Sequence, residues 1–399
     1  LSSKYDLPNG KKENENLSLY TRGMKAVADS NNVLFVDAFV PSKKWYDAAK
    51  DDLTIDGSQL NEEGYKKLSI LLADAIFCKV APKAEDNREL VLAAVKEKNW
   101  MWHDDYKIPN GVHVYGRRYN PFGPDNYPAE IEKIRQMTAI RDTAIWLAAS
   151  RGEQMDIAAA DKTTRQLPPV KTNYNPQQNG SLEYLYGQEA VSKLKVPEGY
   201  KIELFASEQE FPELAKPMQM SFDNKGRLWV ATMPSYPHYK PGDPRPDDKI
   251  IILEDTNADG KADKLTVFAD KLHLPVGFEI APEGVYVSQG TNLKLFTDTN
   301  GDDKADRVEI LLSGFDDHDT HHNSHAFTAD PSGAIYSGEG VFLHTNVETS
   351  YGPVRATNGG FYRYAPQLHK LERTAQLAIP NPWGIAFDDW GQPFFAETS

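Results

Sequence analysis

Two acidic segments of nearly the same sequence, Asp255-Thr-Asn257-Ala-Asp259-Gly260-Lys261-Ala-Asp263 and Asp298-Thr-Asn300-Gly-Asp302-Asp303-Lys304-Ala-Asp306, begin about 43 residues apart. Each joins two apolar, strand-like runs. A repeat of about 40 to 50 residues is the length of one four-stranded propeller blade, so stacked blades are expected. Oxygen donors at loop positions 1, 3, 5 and 9, with a backbone carbonyl at position 7, suit a hard cation that takes six to eight oxygens. Calcium is therefore the expected ion. Its ligands would be Asp255, Asn257, Asp259, the Lys261 carbonyl and Asp263 in one loop. In the other they would be Asp298, Asn300, Asp302, the Lys304 carbonyl, Asp306 and, at position 12, Glu309. Each copy departs from the full pattern: the first has Thr266 at position 12, and the second has Asp303 where a sharp-turn glycine belongs. Strands on both sides make these hairpin loops and not EF-hands, with a structural role. The competing reading is a set of Asx-turns on a solvated edge.

From Val196 onward the chain alternates short apolar runs with turn residues. The unit Phe222-Asp-Asn-Lys-Gly226-Arg-Leu-Trp-Val recurs loosely from Phe278 to Tyr286, from Phe327 to Tyr336 and from Phe387 to Phe394. Four copies argue for about four blades or partial blades. Propeller edges need closure or neighbours, so one or two blades are expected beyond this stretch. The start at Leu1 and the strand-like finish at Phe394-Phe-Ala-Glu-Thr-Ser399 lead to the expectation of an internal piece of a longer protein.

Composition narrows the function classes. With 44 basic against 58 acidic residues, the net charge of -14 argues against a nucleic-acid or anionic-membrane surface and suits a cation-binding protein. No apolar run reaches the roughly 18 residues that span a bilayer. The single cysteine, Cys78, excludes a disulfide framework, a zinc-cysteine cluster or a CxxCH haem attachment within these residues.

Residues 1–80 read as the end of an α/β unit. Leu17, Tyr20, Met24 and Val27 have helical spacing, and Val33-Leu-Phe-Val-Asp37 reads as a short buried strand. The block Asp56-Gly57-Ser58-Gln59-Leu60-Asn61-Glu62-Glu63-Gly64-Tyr65 leads into an apolar helix ending at Phe77. That block resembles the last motif of the SGNH/GDSL-type hydrolases, Asp-Gly-x-His-Leu-Asn-x-x-Gly-Tyr. The resemblance implies a flavodoxin-like α/β domain in which Asp56 is the relic of a Ser-His-Asp triad. Gln59 stands where the histidine belongs, and an amide has no usable proton affinity, so the hydrolase module is expected to be inactive. The other reading of Asp56 is a cap or turn residue.

Residues 81–182 read as a connecting region. It opens with the aromatic segments Trp100–Tyr106 and Tyr115–Pro121, which pack against a neighbour or bind sugar. A helix follows from about Pro128 to Ser150, using Ile131, Ile134, Ile145 and Trp146 and stopping at Gly152, and residues 161–182 form a linker.

The segment Asp316-Asp-His318-Asp319-Thr-His321-His322-Asn-Ser-His325 holds four of the ten histidines. Such density between blades suggests a metal, a general base or a proton relay; a polar loop with histidines bonded to carboxylates is the plainer alternative. Together with Leu253–Asn257, Leu272–Glu279, Val347–Arg355 and Asn381–Gly384, its Asp319–His322 part resembles the PVC-type membrane-bound dehydrogenases that carry haem domains. Their propellers are similar to soluble quinoprotein glucose/sorbosone dehydrogenases. The resemblance covers about residues 195–399. It implies a six-bladed propeller in a periplasmic or secreted multidomain protein, a sugar or alcohol substrate, and electron transfer to a haem domain outside this chain. It also implies a pyrroloquinoline quinone cofactor, His322 and then His321 as base, and Arg355 pairing a cofactor carboxylate. The alternative is a non-catalytic, calcium-stiffened propeller that binds polysaccharide or a protein.

Overall fold

Apolar runs flanked by turn residues become strands wherever a second layer covers them, and the second half of the chain consists of such layers. The computed structural model describes residues 1–2, 7–77, 87–113, 119–171, 184–376 and 379–398. Cys78, the segment Tyr115–Arg118 and residues 172–182 of the linker lie outside them. The chain divides into two units: Leu1–Asp86 with Asn346–Arg355 and Tyr364–Glu372, and the remainder.

The first unit is built on helices α1 (Gly10–Ser30), α2 (Phe39–Ala48) and α3 (Glu62–Phe77). Asn61 starts α3 by accepting from the Gly64 amide at 3.0 Å, an N-cap, and the helix is described as far as Phe77. The strand expected at Val33–Asp37 is not formed. Among the described residues no neighbouring strand offers it a ladder, and Val33 and Leu34 are exposed. Asp37 instead accepts from the Phe39 and Val40 amides and starts α2.

The second unit opens with two long helices packed together, α4 (Arg88–Tyr106) and α5 (Gly123–Arg151), then the short α6 (Ile157–Asp161) and α7 (Gly187–Lys193). Helix α5 starts five residues earlier than its pattern suggests, because Pro124 occupies a first-turn position where a missing N–H costs nothing. It stops at Gly152 in the left-handed conformation. Ile134, Met137, Arg141, Ala144 and Ala148 form its buried stripe, whereas Trp146 points to solvent.

Sixteen strands follow among the described residues. The strands β1 (Pro217–Phe222), β2 (Leu228–Thr232), β3 (Asp248–Glu254) and β4 (Lys264–Leu272) form one antiparallel meander. A second meander consists of β5 (Pro275–Ala281), β6 (Gly284–Gln289), β7 (Asn292–Thr297) and β8 (Arg307–Ser313). In the third sheet β9 (His325–Ala329) and β10 (Ile335–Glu339) are joined by β13 (Gly360–Ala365) and β14 (Lys370–Ala375), after the short hairpin of β11 (Asn346–Val347) and β12 (Val354–Arg355). The hairpin of β15 (Gly384–Phe387) and β16 (Pro393–Ala396) follows. Each four-stranded sheet has the up-and-down order of a propeller blade, and the first strands lie side by side, β1 by β5, β5 by β9 and β9 by β15. The four repeated units of the sequence fall on the first hairpin of each sheet.

The core sits between these sheets. In β3, Ile250 and Ile252 face Phe278, Val285, Val287 and Phe296 of the second sheet, while Ile251 and Leu253 face Phe205, Phe211 and Leu214. All four β3 side chains have no exposed surface. Burial on both faces explains why this strand reads as a continuous apolar run. Among the described residues no helix is long and apolar enough to cross a membrane.

Candidate functional site

The connection from β8 to β9 carries the histidine-rich segment, and most of its side chains are buried although nearly every one is polar. Such a segment is stable only if its polar groups find partners. Backbone bonds tie it down first: the Asn110 and Val112 amides donate to the carbonyls of Asp317 and His318 at 2.9 and 2.8 Å. Thr320 Oγ1 donates to the Pro237 carbonyl at 2.7 Å, and Ser324 and Ser337 share a hydroxyl bond of 2.8 Å. A 3-10 turn over Thr320–His322 then sets the two adjacent imidazoles around one carboxylate.

Asp319 is that carboxylate, with no exposed surface. His321 Nδ1 lies 2.8 Å from its Oδ1 and His322 Nδ1 lies 3.3 Å from its Oδ2. Burial alone would raise the Asp319 pKa, but hydrogen bonds and charge from both rings outweigh it and hold the carboxyl well below its usual range.

The two histidines differ in what remains available. Asn381 donates its amide to the Thr398 carbonyl at 2.9 Å, which turns its Oδ1 toward His322 Nε2, also at 2.9 Å. His322 is thereby held at Nε2, with Nδ1 close to the Asp319 carboxylate, and is only 2% exposed. Gly340 closes over it: a Cβ there would lie 2.7 Å from the ring and 2.6 Å from the Pro380 carbonyl. The His321 side chain is 27% exposed, and its Nε2 has no hydrogen-bond partner among the described residues. A carboxylate that orients one ring nitrogen and leaves the other open is the arrangement of a general base. His325 is fully buried, bonded to the Asn323 carbonyl, and lies 4.2 Å from the Trp383 ring. Burial drives its pKa down to about 4, so it is neutral.

Asp319, His321 and His322 also form the one group among the described residues in which three such side chains bring ligand atoms within 4.8 Å of one another. The donor set, two imidazoles and a carboxylate, suits a borderline divalent cation. As placed, both Nδ1 atoms already face the carboxylate at hydrogen-bond distance or close to it.

The acidic loops behave differently. Asp255 Oδ2 accepts from the Gly260 amide and Asp298 Oδ2 from the Asp303 amide, both at 2.8 Å, so position 1 closes on position 6 in each loop. Asn257 and Asn300 accept from the amides of Asp259 and Asp302 at 2.9 Å, and Asp259 and Asp302 accept from those of Lys261 and Lys304. Asp263 and Asp306 take the Thr256 and Thr299 hydroxyls. Gly260 has φ +85 and Asp303 φ +62, so the sharp turn survives without glycine in the second loop. Asp303 is held there by a two-pronged bond to Arg227 at 2.7 and 3.0 Å. Glu309 lies within β8, beside Arg307.

Asp56 and Arg355 belong to the first unit. Asp56 is buried, and its Oδ1 accepts from the Ser58 and Gln59 amides at 2.9 and 2.8 Å, the pattern of an Asx-turn. The Gln59 amide donates to the Glu348 carbonyl at 2.7 Å. Arg355 Nε donates to Asn346 across the β11–β12 hairpin at 2.9 Å. The structure thus joins His321 with His322 and leaves Arg355 in a different unit. Sequence reasoning passed over Asp319 and Asn381 as site residues, although both stand in the segments that carried the resemblance; only the fold brings them to the two rings.

The profile of a family described as a domain of unknown function, DUF7133, matches residues 186–399, more than half of the chain. The chain belongs to that family. No curated protein matches it. Among solved structures the DUF7133 chain is similar to a luciferin-regenerating enzyme at 13% identity, over 47% of this chain and 54% of that one, with a TM-score of 0.31. It is similar also to virginiamycin B lyase from Staphylococcus aureus (14% identity, 46% and 64% coverage, TM-score 0.26). A streptogramin B lyase matches at 13% identity, 45% and 62% coverage and TM-score 0.25. The chain spans less than two thirds of the length of each.

Proposed function

We propose that the DUF7133 unit is the substrate-binding propeller of a quinoprotein-type dehydrogenase acting on a sugar or alcohol hydroxyl, with His321 as the base. The observation that carries this reading is the pair Asp319–His321 at 2.8 Å with the opposite ring nitrogen open. Asp319 orients the imidazole and stabilises the charge it gains on taking the hydroxyl proton. His322, locked by Asp319 and Asn381, positions Asp319 and does not reach substrate. The hydride acceptor would be a quinone, and a haem domain outside this chain would receive the electrons of an exported protein.

The fit to a quinone that carries carboxylates is incomplete. Lys107 reaches the segment only at the Phe315 carbonyl, and Arg355 bonds to Asn346 in the other unit. That shortfall favours as second reading a calcium-stabilised propeller that binds polysaccharide or a protein partner. Ester hydrolysis by the first unit is disfavoured, because Asp56 serves turn amides and Gln59 supplies no base.

The test is dye reduction by the full chain with added calcium, pyrroloquinoline quinone and a haem-type acceptor, across a panel of sugars and alcohols. His321→Ala should lower kcat by about 10²–10⁴-fold. His322→Ala should lower it less and shift the pH profile. Turnover untouched by His321→Ala, or no turnover with any substrate, would remove the dehydrogenase reading and leave the binding propeller.

A further inference from the structure

The helical part of the second unit holds a cavity that the proposed site does not use. It lies among α4, α5, the segment around α6 and the loop 239–245, with a volume of about 980 Å³. Leu90 and Ala94 of α4 and Met137 and Ala144 of α5 give it apolar walls, at the four- and seven-residue spacings that put side chains on one helix face.

Charge is concentrated at one end. Arg141 is 3% exposed and is held by both oxygens of Asp161, at 2.9 and 3.0 Å, and by Glu97 Oε1 at 3.0 and 3.1 Å. The other Glu97 oxygen takes Arg245, whose guanidinium lies 4.2 Å over the Trp100 ring. All four carboxylate oxygens are thus engaged by arginines. Lys133 is left over. It is 5% exposed, and its ammonium donates to Thr164 Oγ1 at 2.9 Å and the Arg165 carbonyl at 3.0 Å, both neutral acceptors. Among the described residues it makes no ion pair, and two of its three donors are used. Glu153, Asp156 and Asp243 also line the cavity, but they are exposed, where solvent and salt screen them.

A buried ammonium with only neutral partners is strongly unfavourable unless an anion joins it. We propose that this cavity binds a small monocarboxylate with an apolar body, its carboxylate on Lys133 and its hydrocarbon against the faces of α4 and α5. Lys162 also lines the cavity but is exposed, where solvent and salt screen it, so the one buried unmatched cation selects a single negative charge. A phosphate group, which carries about −1.5 to −2 at neutral pH, would bring more charge than the site can match.

The experiment is calorimetric titration of the full chain with benzoate, using benzyl alcohol and inorganic phosphate as comparisons. Benzoate should bind saturably, at least tenfold more tightly than either comparison compound. Lys133→Met, which keeps the apolar stem and removes the charge, should weaken benzoate at least tenfold. Ala94→Trp, at a half-buried position, narrows the cavity and should weaken it with Lys133 untouched, which keeps the test valid if Lys133→Met does not fold. Benzoate binding that is absent, unchanged in both variants, or no tighter than that of benzyl alcohol or phosphate overturns the proposal.

Discussion

Helix α1 and strand β3 carry equally clear apolar patterns, yet they end in opposite environments. Helix α1 buries none of its residues: Tyr20, Met24 and Val27 are each more than 60% exposed. Strand β3 holds Ile250, Ile251, Ile252 and Leu253 without any exposed surface. The lesson is that periodicity specifies an element, whereas burial requires a second layer to receive it. The meanders supply that layer to one another. The first unit offers α1 none among its described residues, and its expected strand at Val33–Asp37 fails for the same reason.

This contrast can be broken by mutation. Ile252→Ala should destabilise the sheet unit by about 2–5 kcal/mol, through lost burial and a cavity between two sheets. Val27→Ala on α1 should change stability by no more than about 0.5 kcal/mol. Urea unfolding of both variants measures the difference; equal losses would mean that α1 is buried in solution.

A smaller effect separates the units by pH. Burial raises the Glu279 carboxyl, on β5, to about 7. A carboxyl held neutral in the fold binds its proton more tightly there than in the unfolded chain, so its contribution is fully present below the ordinary pKa of 4.5 and is lost as pH rises to about 7. Glu279→Gln should therefore flatten the fall in stability between pH 4.5 and 7, by up to about 1.4 kcal/mol per pH unit. Unfolding curves across that range check it, and an unchanged slope would show that Glu279 does not titrate there. The low pKa of His325 acts in the opposite sense, its contribution being lost as pH falls from 6.5 toward 4, so the wild-type curve sums opposing slopes.

A further effect expected is that of calcium. By mass action, calcium at a hundred times its Kd would add about 2.7 kcal/mol to whatever folds around it, and less at lower saturation. Because both acidic loops join strands of the sheet unit, calcium should raise the melting temperature of that unit alone. Asp298→Ala should remove most of the shift. Lys304→Ala should remove little, since its carbonyl survives. A calorimetric scan that does not respond to chelator would leave the loops as Asx-turns.

Much of the architecture was legible because it depends on local chemistry. The Gly-turn hairpins follow from the repeated Phe-to-Gly units, the stop at Gly152 from glycine's tolerance of positive φ, and the start of α3 from Asn61. The site was legible only in part. Clustering around His321 and His322 is visible in the sequence, but the ranking of the two is not, because it depends on Asn381, some 60 residues away, reaching His322 Nε2. Arg355 and Asp56 illustrate the converse: motif membership suggested cofactor and triad roles, and local hydrogen bonds tie both side chains to the backbone or to a neighbouring amide.

By itself the sequence determined the elements, their repeat and the chemistry available at each loop, since those follow from φ/ψ preference, periodicity and side-chain type over a few residues. Only the tertiary structure decided which histidine keeps an open nitrogen and that Lys133 is buried without a counter-ion. Those outcomes depend on which polar groups remain unsatisfied after distant segments have packed, and that balance is a property of the assembled fold.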